Sequence, residues 1–242
     1  MDLIVLGRYG PYPRAGGACS GYLIEDGTTR VLIDCGAGVF SRLLEYARPE
    51  ELDAIVLSHL HFDHCSDLFV MRYALDQQEV PVGGEKRRVP LYLPDEPFET
   101  RKAITTGALF DPHVVKGGDT IVIGSLTFEF TPMAHPVPVN GMRITANSGA
   151  TLFFTGDTKP YPNMERGAAN CDALLADACF VNESQTGPHM NVKEACQLAR
   201  DAGVKTLYLT HLWGKYDTEE SVKKEIDFPS AFVVKERGRY PI

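Results

Sequence analysis

Four apolar runs in this chain lead into a histidine or an aspartate, and that pattern constrains the fold more than any other feature. His59 follows AIVL (Ala54 to Leu57), His135 follows LTFEFT, Asp157 follows TLFFT, and His211 follows TLYLT. Each run is short and rich in branched or aromatic residues, as expected of strands covered on both faces. Open α/β folds gather their sites past the C-terminal ends of strands, where loops converge over a rigid sheet. Four such residues are therefore expected to meet in one place.

The densest part is SHLHFDHCSD, Ser58 to Asp67. His59 and His61 stand two residues apart, so in an extended turn both can point to one side and share an ion. Asp63 and His64 are adjacent and can turn towards a second ion. Imidazole with carboxylate suits zinc, manganese or iron. A two-metal site also needs a bridging carboxylate, for which Asp157 is the candidate. The bland alternative, a polar turn on the edge of the domain, fits an isolated HxH better than HxHxDH with three further strand-end residues downstream. His113, in FDPHVV, keeps that bland reading. Cys65 is read as a small packed thiol, with thiolate ligation of a metal as the other choice.

The whole chain, 1–242, reads as one domain, because its 242 residues with 44% hydrophobic content can bury a sizeable core. A formal charge of −8 disfavours nucleic acid and anionic membranes as partners. The cluster Lys86-Arg87-Arg88 reads as a solvated loop. No apolar run approaches the roughly 18 residues that span a bilayer, and the opening MDLIVLGRYG has no basic stretch ahead of an apolar core, so the expected location is cytoplasmic. The six cysteines show no CxxC pairing and are expected in the core rather than in disulfides or a zinc ribbon.

Periodicity places strands at Leu3 to Leu6, Tyr22 to Glu25, Val31 to Asp34, Ala54 to Leu57, Val89 to Leu93, Thr120 to Ile123, Leu126 to Thr131, Met142 to Ala146, Thr151 to Thr155, Ala173 to Ala176 and Thr206 to Thr210. Helices are expected at Val39 to Ala47, Leu68 to Leu75, Val192 to Ala202 and Glu219 to Glu225. Strands with interleaved helices suggest two sheets, each covered by helices: an α/β, four-layer αββα sandwich.

At these residues the sequence resembles the metallo-β-lactamase superfamily, whose signature HxHxDH is matched by His59, His61, Asp63 and His64. The resemblance implies the αββα sandwich and two metal ions. His59, His61 and His135 would hold the first, Asp63, His64 and His211 the second, and Asp157 would bridge them. The opening LGRYGPYPRAGGACSGYLIE and the segment VNESQTGPHMNVKEACQLA further resemble ribonuclease Z-like members. In that branch a Glu and a His, here Glu183 and His189, act as a proton-donating pair; the alternative for His189 is to cap the helix beginning near Asn191. The branch's tRNA-processing members carry a long basic arm between the third-histidine motif and the bridging aspartate. Here 22 residues separate His135 from Asp157, filled by one apparent hairpin. The pattern is closer to small bacterial members that resemble atypical class II cyclic-nucleotide phosphodiesterases.

The resulting expectation is a dinuclear metal-dependent hydrolase, a phosphodiesterase acting on small phosphodiesters such as cyclic nucleotides. Hydroxide held between two divalent cations, zinc first and manganese or iron otherwise, would attack phosphorus while Asp63 aims it and His189 with Glu183 protonates the leaving group. The competing readings are a lactonase or thioesterase, a ribonuclease Z-like RNA-processing nuclease, an iron-dependent redox member, and a non-catalytic binding member. The expected partners are a small phosphodiester and either no protein or a second copy in a homodimer, with neither membrane nor strong nucleic-acid binding. The Gly-rich loop Gly10 to Gly21 is either a turn or an entrance for phosphate or ribose.

Overall fold

The computed structural model describes residues 1–80, 84–182, 187–215 and 219–242. Its first half runs β1 (Asp2–Gly7), β2 (Gly21–Asp26), β3 (Thr29–Ile33), α1 (Val39–Leu43), β4 (Ala54–Val56), α2 (Phe62–Cys65), α3 (Leu68–Asp76), β5 (Val89–Leu93), α4 (Phe98–Thr105) and β6 (Phe110–Val114). The second half runs β7 (Thr120–Ile123), β8 (Leu126–Pro132), β9 (Asn140–Ala146), β10 (Thr151–Phe154), α5 (Asn163–Ala168), β11 (Ala173–Asp177), α6 (Val192–Asp201), β12 (Thr206–Thr210), α7 (Glu219–Glu225), β13 (Ala231–Val233) and β14 (Arg239–Pro241).

Among the described residues these strands form two seven-stranded sheets, ordered β14-β1-β2-β3-β4-β5-β6 and β13-β12-β11-β10-β9-β8-β7. Each is antiparallel at one side and parallel at the other, where helices cross over. Strand alternation then divides the core into three layers. Leu3 and Val5 of β1 face the second sheet, against Phe128, Met142 and Ile144. Ile4 and Leu6 point the other way, towards Val39, Leu43 and Met71 of the helices. On the far face, Leu174 and Leu207 pack on Val192, Ala195 and Ala199 of α6. Burying each Leu, Ile or Val contributes roughly 1.5–3 kcal/mol, so uniformly apolar strands such as β4 need both faces covered. The expected four-layer sandwich is the architecture found.

Several elements depart from the sequence reading. The helix expected at Val39 to Ala47 ends at Leu43 and continues only as a turn. β6 contains Pro112, which argues against a strand, but it is an edge strand, where the missing N–H costs no ladder bond. The short helices α2 and α5, and α4 with one fully buried side chain, Ile104, carry too little apolar periodicity to read. Lys86-Arg87-Arg88 is more than a solvated run. Arg87 donates to the carbonyls of Glu50 and Leu52 at 2.9 and 2.8 Å, and Arg88 to that of Phe110 at 2.9 Å.

Candidate metal centre

β4, β8, β10 and β12 all end at one edge of the sandwich, and the loops after them bring His59, His61, His135, Asp157 and His211 together. α2 adds Asp63 and His64. Their donor atoms fall into two sets, His59, His61, His135 and Asp157, and Asp63, His64, Asp157 and His211. Within each set all the atoms lie within 4.8 Å of one another. Asp157, common to both, places Oδ2 3.6 Å from His59 Nε2, 3.3 Å from His64 Nε2 and 3.3 Å from His211 Nε2.

The hydrogen bonds behind these rings fix which nitrogen faces inward. The His59 Nδ1–H donates to Ser58 Oγ at 3.0 Å, that hydroxyl donates to Asp34 Oδ2 at 2.8 Å, and His59 Nε2 is left with a lone pair towards the centre. His135 Nδ1 donates to the Pro188 carbonyl at 3.1 Å, and His64 Nδ1 to Asp34 Oδ2 at 2.7 Å. His61 is oriented the other way, with Nδ1 3.1 Å from His59 Nε2 and 3.2 Å from His135 Nε2. A single hydrogen on His61 Nδ1 cannot satisfy both facing lone pairs. A divalent cation can, so the donor set fits one.

Electrostatics differ across the cluster. Burial pushes His59 well below its ordinary pKa, reinforced by the neighbouring His64 charge. Burial also lowers His61 and His135, against the pull of Asp157. For His64 and His211 burial again opposes charge, but Asp157 and the other nearby carboxylates outweigh it and hold both well above the usual range. Burial alone would raise Asp63 and Asp157; the His64 and His211 charges instead hold both below the usual carboxylate range.

Two residues that the sequence reading missed complete the geometry. Asp34, at the end of β3, binds Ser58 N at 2.7 Å as well as His64. Asp177, at the end of β11, accepts from His189 Nδ1 at 2.9 Å and lies 3.6 Å from His211 Nδ1. Both obey the strand-end rule that singles out Asp157. His189 lines the bowl, and the α6 cap is Asn191, paired reciprocally with Glu194, so His189 is not the cap. Glu183 lies outside the described residues. Cys65 Sγ turns away from the donor atoms and donates to the His61 carbonyl at 3.2 Å, its pKa pushed up to about 12 by burial. Cys179, read as core, stands near the His189 and His211 nitrogens. His113 stays out of the site, on β6, with Nε2 3.1 Å from Asp111.

The start of the Gly10 to Gly21 loop, Gly10 and Pro11, lies against the cluster. His211 has φ 55 and Asp34 φ 54, left-handed values uncommon for non-glycine residues at the places where the chain must turn sharply. Gly10 lies on the His211 ring: a Cβ there would stand 1.9 Å from Nε2, so only glycine allows the approach. Pro11, Pro136 and Pro188 wall a bowl of about 200 Å³ around the donors.

An αββα sandwich with two overlapping His/Asp clusters at its sheet ends defines a metallo-hydrolase scaffold, suited to binding metal ions. The Beta-lactamase superfamily domain matches residues 29–212, and the chain belongs to that superfamily as a hydrolase with the metallo-β-lactamase fold. It is 33% identical over 232 residues to the probable metallo-hydrolase YhfI of Bacillus subtilis, covering 93% of this chain and 92% of that protein. The crystal structure of YhfI superposes with a TM-score of 0.89 at 31% identity, covering 99% and 98% of the two chains. Ribonuclease Z of Methanopyrus kandleri is 27% identical over 253 residues, 88% of each chain. A diphosphatase from the PhnP family shares the fold, with a TM-score of 0.79 at 21% identity over 100% of this chain and 97% of that one. Among the described residues no helix is long and apolar enough to cross a membrane.

Proposed function

We propose that this chain is a dinuclear phosphodiesterase acting on small phosphodiesters such as cyclic nucleotides. His59, His61 and His135 would hold one divalent cation, zinc first, and Asp63, His64 and His211 the other, with Asp157 between them. When bound, such cations supply Lewis acidity to phosphoryl oxygens and lower the pKa of water from about 15.7 towards about 7. Asp63 accepts a hydrogen bond from the attacking water and holds it in line with phosphorus. His189 protonates the departing alkoxide through Nε2. Asp177 keeps the His189 Nδ1–H oriented and stabilises the ring once charged. Glu183, from outside the described residues, completes the proposed proton-donating set. Residues 1–242 act as one domain in this reading, and the six free thiols suit a cytoplasmic setting.

The observation that carries the reading is the carboxylate-backed His189 in the same bowl as five of the donor residues, His61, Asp63, His135, Asp157 and His211. A ribose alkoxide leaves poorly without a proton, whereas a thiolate needs none. The span from His135 to Asp157 holds only the β9–β10 hairpin as regular structure, which favours a small substrate over folded RNA. The test is an activity panel on metal-quantified protein with 3′,5′- and 2′,3′-cyclic nucleotides, bis(nitrophenyl) phosphate, a homoserine lactone and a tRNA precursor. Turnover of cyclic nucleotides is expected; turnover of the lactone alone refutes the proposal.

A further inference from the structure

Beside the bowl lies a second cavity, of about 480 Å³, lined by Ala134, His135, Pro136, Lys159, Gly187 and Pro188. It shares His135, Pro136 and Pro188 with the bowl, so the two adjoin each other. Their charges differ. The bowl presents imidazoles and the carboxylates of Asp63 and Asp157, whereas among the described residues the side cavity is lined by the Lys159 ammonium and by no carboxylate.

Lys159 extends from a fixed base two residues after Asp157. Its N–H donates to the Ala134 carbonyl at 3.2 Å, and Ala134 N in turn donates to Thr158 Oγ1 at 3.1 Å. Thr158 N is held by Asp177 Oδ2 at 3.1 Å. Among the described residues Lys159 has no carboxylate partner, and neither do Lys102, Lys116 and Lys235, but of these four only Lys159 lines the cavity beside the donors. On a chain of net charge −8, an ammonium beside the donor cluster with no carboxylate partner among the described residues is the local cation that an anionic ligand needs.

We propose that Lys159 is a specificity-determining residue that binds a second phosphoryl group of the substrate, one beyond the group being cleaved. The preferred substrates are then phosphodiesters that carry an additional phosphate, seated in the side cavity while the scissile group occupies the bowl.

This rests on the phosphodiesterase reading, so the test reads binding without turnover. Adenosine 5′-monophosphate and adenosine 3′,5′-bisphosphate are titrated by calorimetry into the protein carrying its metal, as wild type, Lys159→Ala and Lys159→Arg. The wild type is expected to bind the bisphosphate about tenfold more tightly, the scale of one charge-assisted contact. Lys159→Ala should bring that ratio close to one, Lys159→Arg should retain most of it, and added salt should shrink it in the wild type. A wild-type ratio near one, or one that survives in Lys159→Ala, overturns the proposal. A Lys159-dependent ratio in an enzyme that turns over no phosphodiester overturns the phosphodiesterase reading instead.

Discussion

The two halves of the donor cluster use the same imidazole chemistry with different backing. In the half made by His59, His61 and His135, the outward nitrogens of His59 and His135 rest on neutral acceptors, the Ser58 hydroxyl and the Pro188 carbonyl. In the half made by Asp63, His64 and His211, the outward nitrogens of the two histidines face carboxylates, Asp34 at 2.7 Å and Asp177 at 3.6 Å. The result is a neutral half and a half whose histidines stay charged until a cation replaces their protons. Ligand identity is thus only part of the design; Asp157 inside the cluster raises His64 and His211 most, and Asp63 and the carboxylates behind the rings add to that.

The largest expected effect removes the neutral half. His59→Ala with His61→Ala should abolish turnover and lower the bound metal together, measured by elemental analysis alongside activity. Two full equivalents of metal in that variant would refute the ligand assignment. Next comes His189→Ala, which leaves both halves in place and removes the proposed proton donor. Turnover should fall by about 10²- to 10⁴-fold on substrates with alkoxide leaving groups. The loss should be much smaller on a nitrophenyl ester, and equal losses on both would end the donor role.

The sequence made the seven donors legible because His59, His135, Asp157 and His211 each follow an apolar run, and HxHxDH ties His61, Asp63 and His64 to the first of them. Asp34 and Asp177 stand at equivalent strand ends, in VLID and ALLAD, but went unread. They act through a neighbouring ring, and a carboxylate that orients a histidine 30 residues away, as Asp34 does His64, leaves no local motif. The sandwich itself was legible because strands covered on both faces are uniformly apolar. Strand β6 was hidden by Pro112, and α2 because it holds only four residues, two of them donors. The role of the Gly-rich loop depended on the distance from Gly10 to His211, a contact between the two ends of the chain that no sequence window spans.

The third test sets one backing residue against the other. Asp34→Asn should weaken metal retention by about 10- to 100-fold, the usual cost of losing a carboxylate behind a ligating histidine. Pro188 offers a backbone carbonyl and cannot be compared by substitution, so Ser58→Ala is the counterpart, with a loss of a few-fold expected from a neutral partner. Chelator competition measures both, and equal losses would erase the distinction between the halves.

A smaller effect follows from pH. Without cations the raised pKa values keep His64 and His211 protonated at neutral pH, so binding there must release protons and strengthen as pH rises. The depressed His59, His61 and His135 are already neutral, so their half should show little dependence. Zinc titrations between about pH 6 and pH 8 should show one equivalent whose affinity rises about tenfold per unit for each proton displaced, and one nearly flat. Two parallel slopes would contradict the charge difference.

The smallest expected effect concerns Cys65, which adjoins a donor of the charged half without belonging to it. Its side chain is fully buried, and its thiol hydrogen is directed at the His61 carbonyl, the backbone of the opposite half. With the pKa pushed up to about 12, the sulfur stays protonated at any pH where the protein would work, and a protonated thiol is a poor ligand. Cys65→Ala should therefore cost about 1–2 kcal/mol of stability from the small cavity it leaves. Both equivalents of metal and turnover should be unchanged. Loss of one equivalent would make Cys65 an eighth donor and move the charged half towards a thiolate site. Retention of both, with a lowered melting temperature, would confine its part to packing under the turn that presents His61.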